Sequence, residues 1–148
     1  INSSCEFTGL DLSDEFLTMA KQNNPHASFI KQDIRKLNLA TPFDIILASF
    51  CIVHLSNKDA YSFIENLSAR ILPGGFLYLS FMTGKKAGFE PTSFSREKIY
   101  FNYFSKKSIE KKLMQSSIKI IQANSEVYPE KDGSLTTDIF LFCRKDPV

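Results

Sequence analysis

The 148-residue sequence has no tryptophan, no Gly-x-Gly and no apolar run near the roughly 18 residues that cross a bilayer. The missing glycine fingerprint disfavours a dinucleotide-dependent oxidoreductase, and the missing run argues against a membrane partner. Charge of one sign is scarce too. With 18 Lys and Arg against 16 Asp and Glu, the net charge of +2 does not by itself argue for nucleic acid. The three cysteines, Cys5, Cys51 and Cys143, are odd in number and far apart, so neither a disulfide framework nor a metal site is expected. Embedded in apolar stretches, they read as small core residues in a reducing, cytoplasmic compartment. The chain opens at Ile1 with no signal-peptide pattern, and we read that start as a cut end.

What is present is an ordinary globular balance, 43% hydrophobic and 23% charged, which suits one domain spanning residues 1–148. Cys5 to Leu10, Phe43 to Phe50 and Phe76 to Phe81 carry apolar residues on both strand faces, the pattern of a parallel sheet covered by helices. Ser13, followed by Asp14 and Glu15, predicts a helix that closes before Asn24-Pro25. Ser56 with Asp59 fits a capping box, Ala60, Phe63, Ile64, Leu67 and Ile71 repeat at helical spacing, and Pro73-Gly74-Gly75 ends the run. Ala27 to Lys31 is a weaker strand. A third helix is expected over Ser105 to Ser116, with Ile109, Leu113 and Met114 on one face. Ile118 to Gln122, running on towards Tyr128, and Thr137 to Arg144 then form a hairpin. The fold class is α/β, a doubly wound, Rossmann-like and mostly parallel sheet with an antiparallel C-terminal strand. Met82 to Phe104 reads as one long irregular stretch, and loops of that length usually have a function.

Ligands of open α/β sheets bind beyond the carboxyl ends of the strands, which directs attention to three groups. Asp11 ends a strand just before a helix cap; its carboxylate can accept both hydroxyls of a ribose, or it merely caps the helix. Asp33 follows the next strand and can accept from a purine amino group while Ile34 packs on the ring, or it belongs to a polar loop. His54, beyond Ser49 and Phe50 at the exit from a central strand, can act as a base or serve structure alone.

In this order the three groups resemble the class I S-adenosylmethionine-dependent methyltransferases, in particular their small-molecule branch. Thr8-Gly9-Leu10-Asp11-Leu12-Ser13 is similar to the stretch whose acid holds the cofactor ribose. Asp33-Ile34 is similar to the adenine-binding pair, and Phe43 to Ser49 with Val53-His54-Leu55 to the fourth strand and its exit beside the methionine moiety. Leu72-Pro73-Gly74-Gly75-Phe76-Leu77 resembles the turn into the fifth strand, and Phe101-Asn102-Tyr103-Phe104-Ser105 through Phe142 the C-terminal end. The resemblance implies S-adenosyl-L-methionine as cofactor, with Asp11, Leu12, Asp33, Ile34, Ser49 and Phe50 around it, no metal, and a small-molecule methyl acceptor. It implies His54 as the base where the nucleophile arrives protonated.

The sequence departs from that family at its front, where the first strand and its glycine loop are not found. Weak cofactor binding, or none, is the expectation for such a chain. The strands at Cys5 to Leu10 and Phe43 to Phe50 are then expected either to pair directly or to self-associate. The runner-up from another class is a non-catalytic, degenerate or truncated methyltransferase-fold interaction module. Phe81, Phe89, Phe94, Tyr100, Phe101, Tyr103 and Phe104 make either a water-excluding lid or core packing. From Lys85 to Lys112 eight Lys or Arg face three Glu, by default a solvated basic face, with an anionic substrate or RNA as the minority reading.

Overall fold

A computed structural model describes residues 5–91, 97–130 and 133–147. The chain clusters into two units, residues 1–38 and 39–148.

In the first unit, strand β1 (Thr8–Asp11) pairs in parallel with β2 (Ser28–Lys31) through helix α1 (Asp14–Asn23). Ser13 caps α1 as its sequence predicts, its hydroxyl accepting from Phe16 N at 3.2 Å. Asp14 and Glu15 lie in the first turn, near the positive end of the helix dipole. Gly9 is paired with Phe29, whose ring comes so close that a Cβ at Gly9 would sit 2.8 Å from it. The strand starts later than expected, and Cys5 is exposed rather than a core residue, because it precedes the paired segment.

The second unit is built on a four-stranded sheet of order β3-β4-β8-β7, made of β3 (Phe43–Ala48), β4 (Ile71–Thr83), β7 (Ile118–Pro129) and β8 (Leu135–Lys145). β3 and β4 are parallel, and β8 lies antiparallel between β4 and β7, as the α/β reading requires. Helix α2 (Asn57–Arg70) starts at the predicted box: Ser56 Oγ accepts from Asp59 N at 3.1 Å and donates to Asp59 Oδ2 at 2.7 Å. It buries Ala60, Phe63, Ile64 and Leu67. Helix α3 (Lys106–Gln115) buries Ile109 and Leu113, but Met114 is exposed: one position beyond Leu113, it is turned about 100° away from it. The two helices pack against each other and against the sheet. Alternate residues of β4 and β8, Leu77, Leu79, Phe81, Ile139, Leu141 and Cys143, are buried, each full burial stabilising by about 1.5–3 kcal/mol for a large apolar side chain. On the opposite parity Ile45, Leu47, Phe76 and Phe142 are exposed.

Two expectations change. The segment 82–104 is not irregular throughout: it contains an antiparallel pair, β5 (Gly88–Pro91) and β6 (Lys98–Phe101). Phe94 lies outside the described residues. Pro73, Gly74 and Gly75 belong to β4, which begins at Ile71, directly after α2. The glycines serve the turn itself. Gly74 has φ +78°, and a Cβ at Gly75 would lie 2.7 Å from the Asp44 carbonyl oxygen. Among the described residues β1 pairs with β2 and β3 with β4.

Candidate functional site

Each unit carries its own candidate residues at the carboxyl ends of its parallel strands. In the first, Asp11 and Asp33 follow neighbouring strands, and Gln32 N donates to the Asp11 carbonyl at 3.1 Å, tying the two exits together. Asp11 Oδ1 accepts from Ser13 N at 2.8 Å, so the carboxylate does help to organise the helix start. One such bond leaves acceptor sites on both oxygens, and the exposed group faces solvent. Beside it is a shallow pocket of about 140 Å³, lined by Gly9, Asp11, Phe16 and Phe29 among others. Phe16, which lines it, and Leu12 are exposed apolar side chains.

Asp33 caps the 3₁₀ turn Ile34–Lys36 and is gripped by Arg35. Oδ1 accepts from Arg35 N at 2.9 Å and Nε at 3.0 Å, and Oδ2 from Nε at 2.9 Å and Nη2 at 2.6 Å. The Arg35 side-chain hydrogen bonds, with the backbone one behind them, hold this carboxyl below the usual carboxylate range. An ionised acceptor suits a purine amino group, but that group shares the carboxylate with Arg35. Ile34 stands next to it, half-buried.

In the second unit the exit from β3 is held from two sides. Phe50 adopts φ +48°, an uncommon left-handed conformation for a bulky residue. Its N–H donates to Ser80 Oγ at 2.9 Å, and Ser80 is fully buried on β4. The Phe50 ring meets Phe140 edge-on at 5.9 Å. Ser49 is exposed, and Cys51 starts the 3₁₀ turn Ile52–His54. Burial pushes the Cys51 thiol up to about 11, so it stays protonated near neutrality and is no nucleophile.

His54 ends that turn with an exposed ring, while Ile52 and Val53 are buried. Its Nδ1 lies 2.9 Å from the Tyr100 carbonyl, and its ring is 4.8 Å from that of Phe101. A carbonyl only accepts, so Nδ1 carries the proton and the neutral ring keeps its lone pair on Nε2. The geometry therefore offers a base. The aromatic residues divide between core and surface. Phe81 and Phe104 are core residues in mutual edge contact at 6.1 Å, whereas Phe89 is 69% exposed and meets Tyr100 at 5.6 Å on the β5–β6 pair.

Ser80 and Asn102 are functional candidates that the sequence reading passed over. Each is a polar residue inside an apolar run, Leu79-Ser80-Phe81 and Phe101-Asn102-Tyr103. That contrast was the available signal. No cluster of metal-ligating side chains occurs among the described residues.

The family profile described as a methyltransferase domain matches residues 1–75, half of the chain. The chain belongs to the methyltransferase domain family. Solved structures extend the likeness over this methyltransferase domain as a whole. It is similar to a SAM-dependent methyltransferase from Methanosarcina mazei, at 14% identity and TM-score 0.79 over 95% of this chain and 82% of that one. It is similar to a S-adenosylmethionine-dependent methyltransferase from Clostridium acetobutylicum, at 16% identity and TM-score 0.74 over 96% and 76%. It also resembles the N-methyltransferase NodS from Bradyrhizobium japonicum with S-adenosyl-L-homocysteine, at 17% identity and TM-score 0.67 over 95% and 66%. No curated protein sequence matches it significantly. The methyltransferase domain thus has the class I methyltransferase fold, and the carboxylates of Asp11 and Asp33 are acceptors of the kind that ribose hydroxyls and a purine amino group require.

Proposed function

We propose that this methyltransferase domain, a single domain over residues 1–148, transfers a methyl group to a small-molecule nucleophile in the cytoplasm. The observation that carries the reading is the 2.9 Å contact of His54 Nδ1 with the Tyr100 carbonyl beyond the exit of β3, from which a lone pair on Nε2 of the neutral ring follows. S-adenosylmethionine supplies an electrophilic methyl group on a sulfonium. Asp11 would hold the ribose hydroxyls and Asp33 the adenine amino group, with Leu12 and Ile34 as apolar flanks. Ser49 and Phe50 would border the methionine moiety. His54 Nε2 would take the proton of an acceptor that arrives protonated, and exposed Phe89 with half-buried Tyr100 would exclude water from it.

One solved structure supports a small acceptor by its name: the Burkholderia thailandensis 1,6-didemethyltoxoflavin-N1-methyltransferase, with 1,6-didemethyltoxoflavin and S-adenosylhomocysteine bound. Because β1 and β3 each keep one edge unpaired among the described residues, self-association through these strands is part of the proposal. The test is the variant His54→Ala assayed with a panel of small amine and hydroxyl acceptors. Turnover at saturation should fall by about 10²-fold or more, the lower range for a general base, while cofactor affinity holds. Loss of cofactor affinity with unchanged turnover would remove His54 from this role.

A further inference from the structure

The backbone around His54 is fastened by one buried side chain. Asn102, 4% exposed, follows β6 directly and reaches three positions along the turn that carries His54 and the start of α2. Its backbone N–H donates to the Val53 carbonyl at 2.7 Å. Its side-chain Nδ2 donates to the Leu55 carbonyl at 2.8 Å and to Asn57 Oδ1 at 3.0 Å. The Leu55 carbonyl can only accept, which settles which end of the amide points there. These bonds bracket His54 on both sides in sequence. The same strand end supplies the Tyr100 carbonyl, two residues before Asn102, to which His54 Nδ1 donates at 2.9 Å, and the Phe101 ring beside the imidazole.

We propose that Asn102 is a positioning residue for the base: it registers β6 against the 52–57 turn so that the Tyr100 carbonyl meets Nδ1 and keeps the lone pair on Nε2. This rests on the reading of His54 as the base. The chemistry is that of a hydrogen-bonded group fixing the tautomer and pose of an imidazole, here through a backbone carbonyl whose own place depends on a neighbouring amide. A buried amide with both N–H groups directed to one turn is costly to disturb, because the carbonyls it satisfies lose their donors. Asn102→Ala keeps the main-chain bond to Val53 but removes both side-chain bonds, which loosens the hold on the Tyr100 carbonyl and lets the ring exchange tautomers and rotate more freely.

The test reads the tautomer directly. Long-range ¹H–¹⁵N NMR of the imidazoles is simple in this protein, which has two histidines; His26 is exposed and serves as the unrestrained reference, with His26→Gln fixing the assignment. Above the histidine pKa, His54 should show the Nδ1–H form in the unmodified protein. Asn102→Ala should move it towards the His26 pattern and lower kcat about tenfold, the low end for a residue behind a functional histidine, with KM for the acceptor changed far less. Should Asn102→Ala fail to fold, Asn57→Ala removes one leg of the clasp from an exposed position and should produce a smaller shift in the same direction. An Nε2–H tautomer in the unmodified protein, or an unmoved tautomer in either folded variant, overturns the proposal. The readings remain separable, because His54→Ala with unchanged kcat refutes the base whatever the tautomer is.

Discussion

Ser80→Ala removes one oxygen atom from the floor of the β3 exit, and its effect can be worked from the structure. The hydroxyl is fully buried and accepts from Phe50 N at 2.9 Å, in a residue held at φ +48°. Leaving a buried donor without its acceptor costs about 1–3 kcal/mol. Phe50 is only half-buried, so water can recover part of that, and about 1–2 kcal/mol is expected. The left-handed conformation adds a functional consequence, since nothing else described holds that N–H and a bulky residue relaxes from positive φ once released. All five tyrosines, at 61, 78, 100, 103 and 128, fall in the second unit, so tyrosine fluorescence in urea follows that unit alone. The urea midpoint should drop with the slope unchanged. Calorimetry should show weaker cofactor binding as the Ser49–Phe50 backbone moves. A midpoint and an affinity both equal to the parent's would refute the argument that Ser80 holds this turn.

Asp11→Ala should weaken S-adenosylhomocysteine binding by about 1–3 kcal/mol in calorimetry, the scale for hydrogen bonds to a charged group; equal affinity would exclude Asp11. Asp138 is pushed above the usual carboxylate range by burial and then by Glu126 and Glu130. The folded state therefore binds its proton more tightly than the unfolded chain, and stability falls as pH rises through its titration, so Asp138→Asn should stabilise at pH 7 and not below pH about 3. With Cys51 pushed up to about 11 and Cys143 to about 12 by burial, iodoacetamide at pH 8 should alkylate exposed Cys5 first, as mass spectrometry would show. Light scattering across a concentration series should show mass rising through the open edges of β1 and β3, and a constant monomer mass would end that expectation.

Much of the fold was legible because local chemistry and tertiary context agree. Ser13 and Ser56 start their helices, and the periodicity of Ala60, Phe63, Ile64 and Leu67 names the buried face of α2. Asp11, Asp33 and His54 were legible as candidates because they lie at or beyond the carboxyl ends of β1, β2 and β3, where an α/β sheet leaves side chains free. Their states were not legible. Arg35 two residues from Asp33 could have pointed anywhere, and only the folded turn wraps its guanidinium around both oxygens. The β5–β6 pair was hidden because strands of four residues with Gly and Pro carry little pattern of their own.

The sequence by itself determined the helices, the strands other than β5 and β6, their α/β order and the strand ends at which chemistry can occur, since caps, turns and apolar spacing act over a few residues. Only the tertiary structure decided what those ends can do. Ser80 lies 30 residues from Phe50, and Tyr100 lies 46 from His54. Hydrogen bonds over such separations depend on strand register and on a carbonyl arriving at 2.9 Å, and no local preference in the chain encodes either.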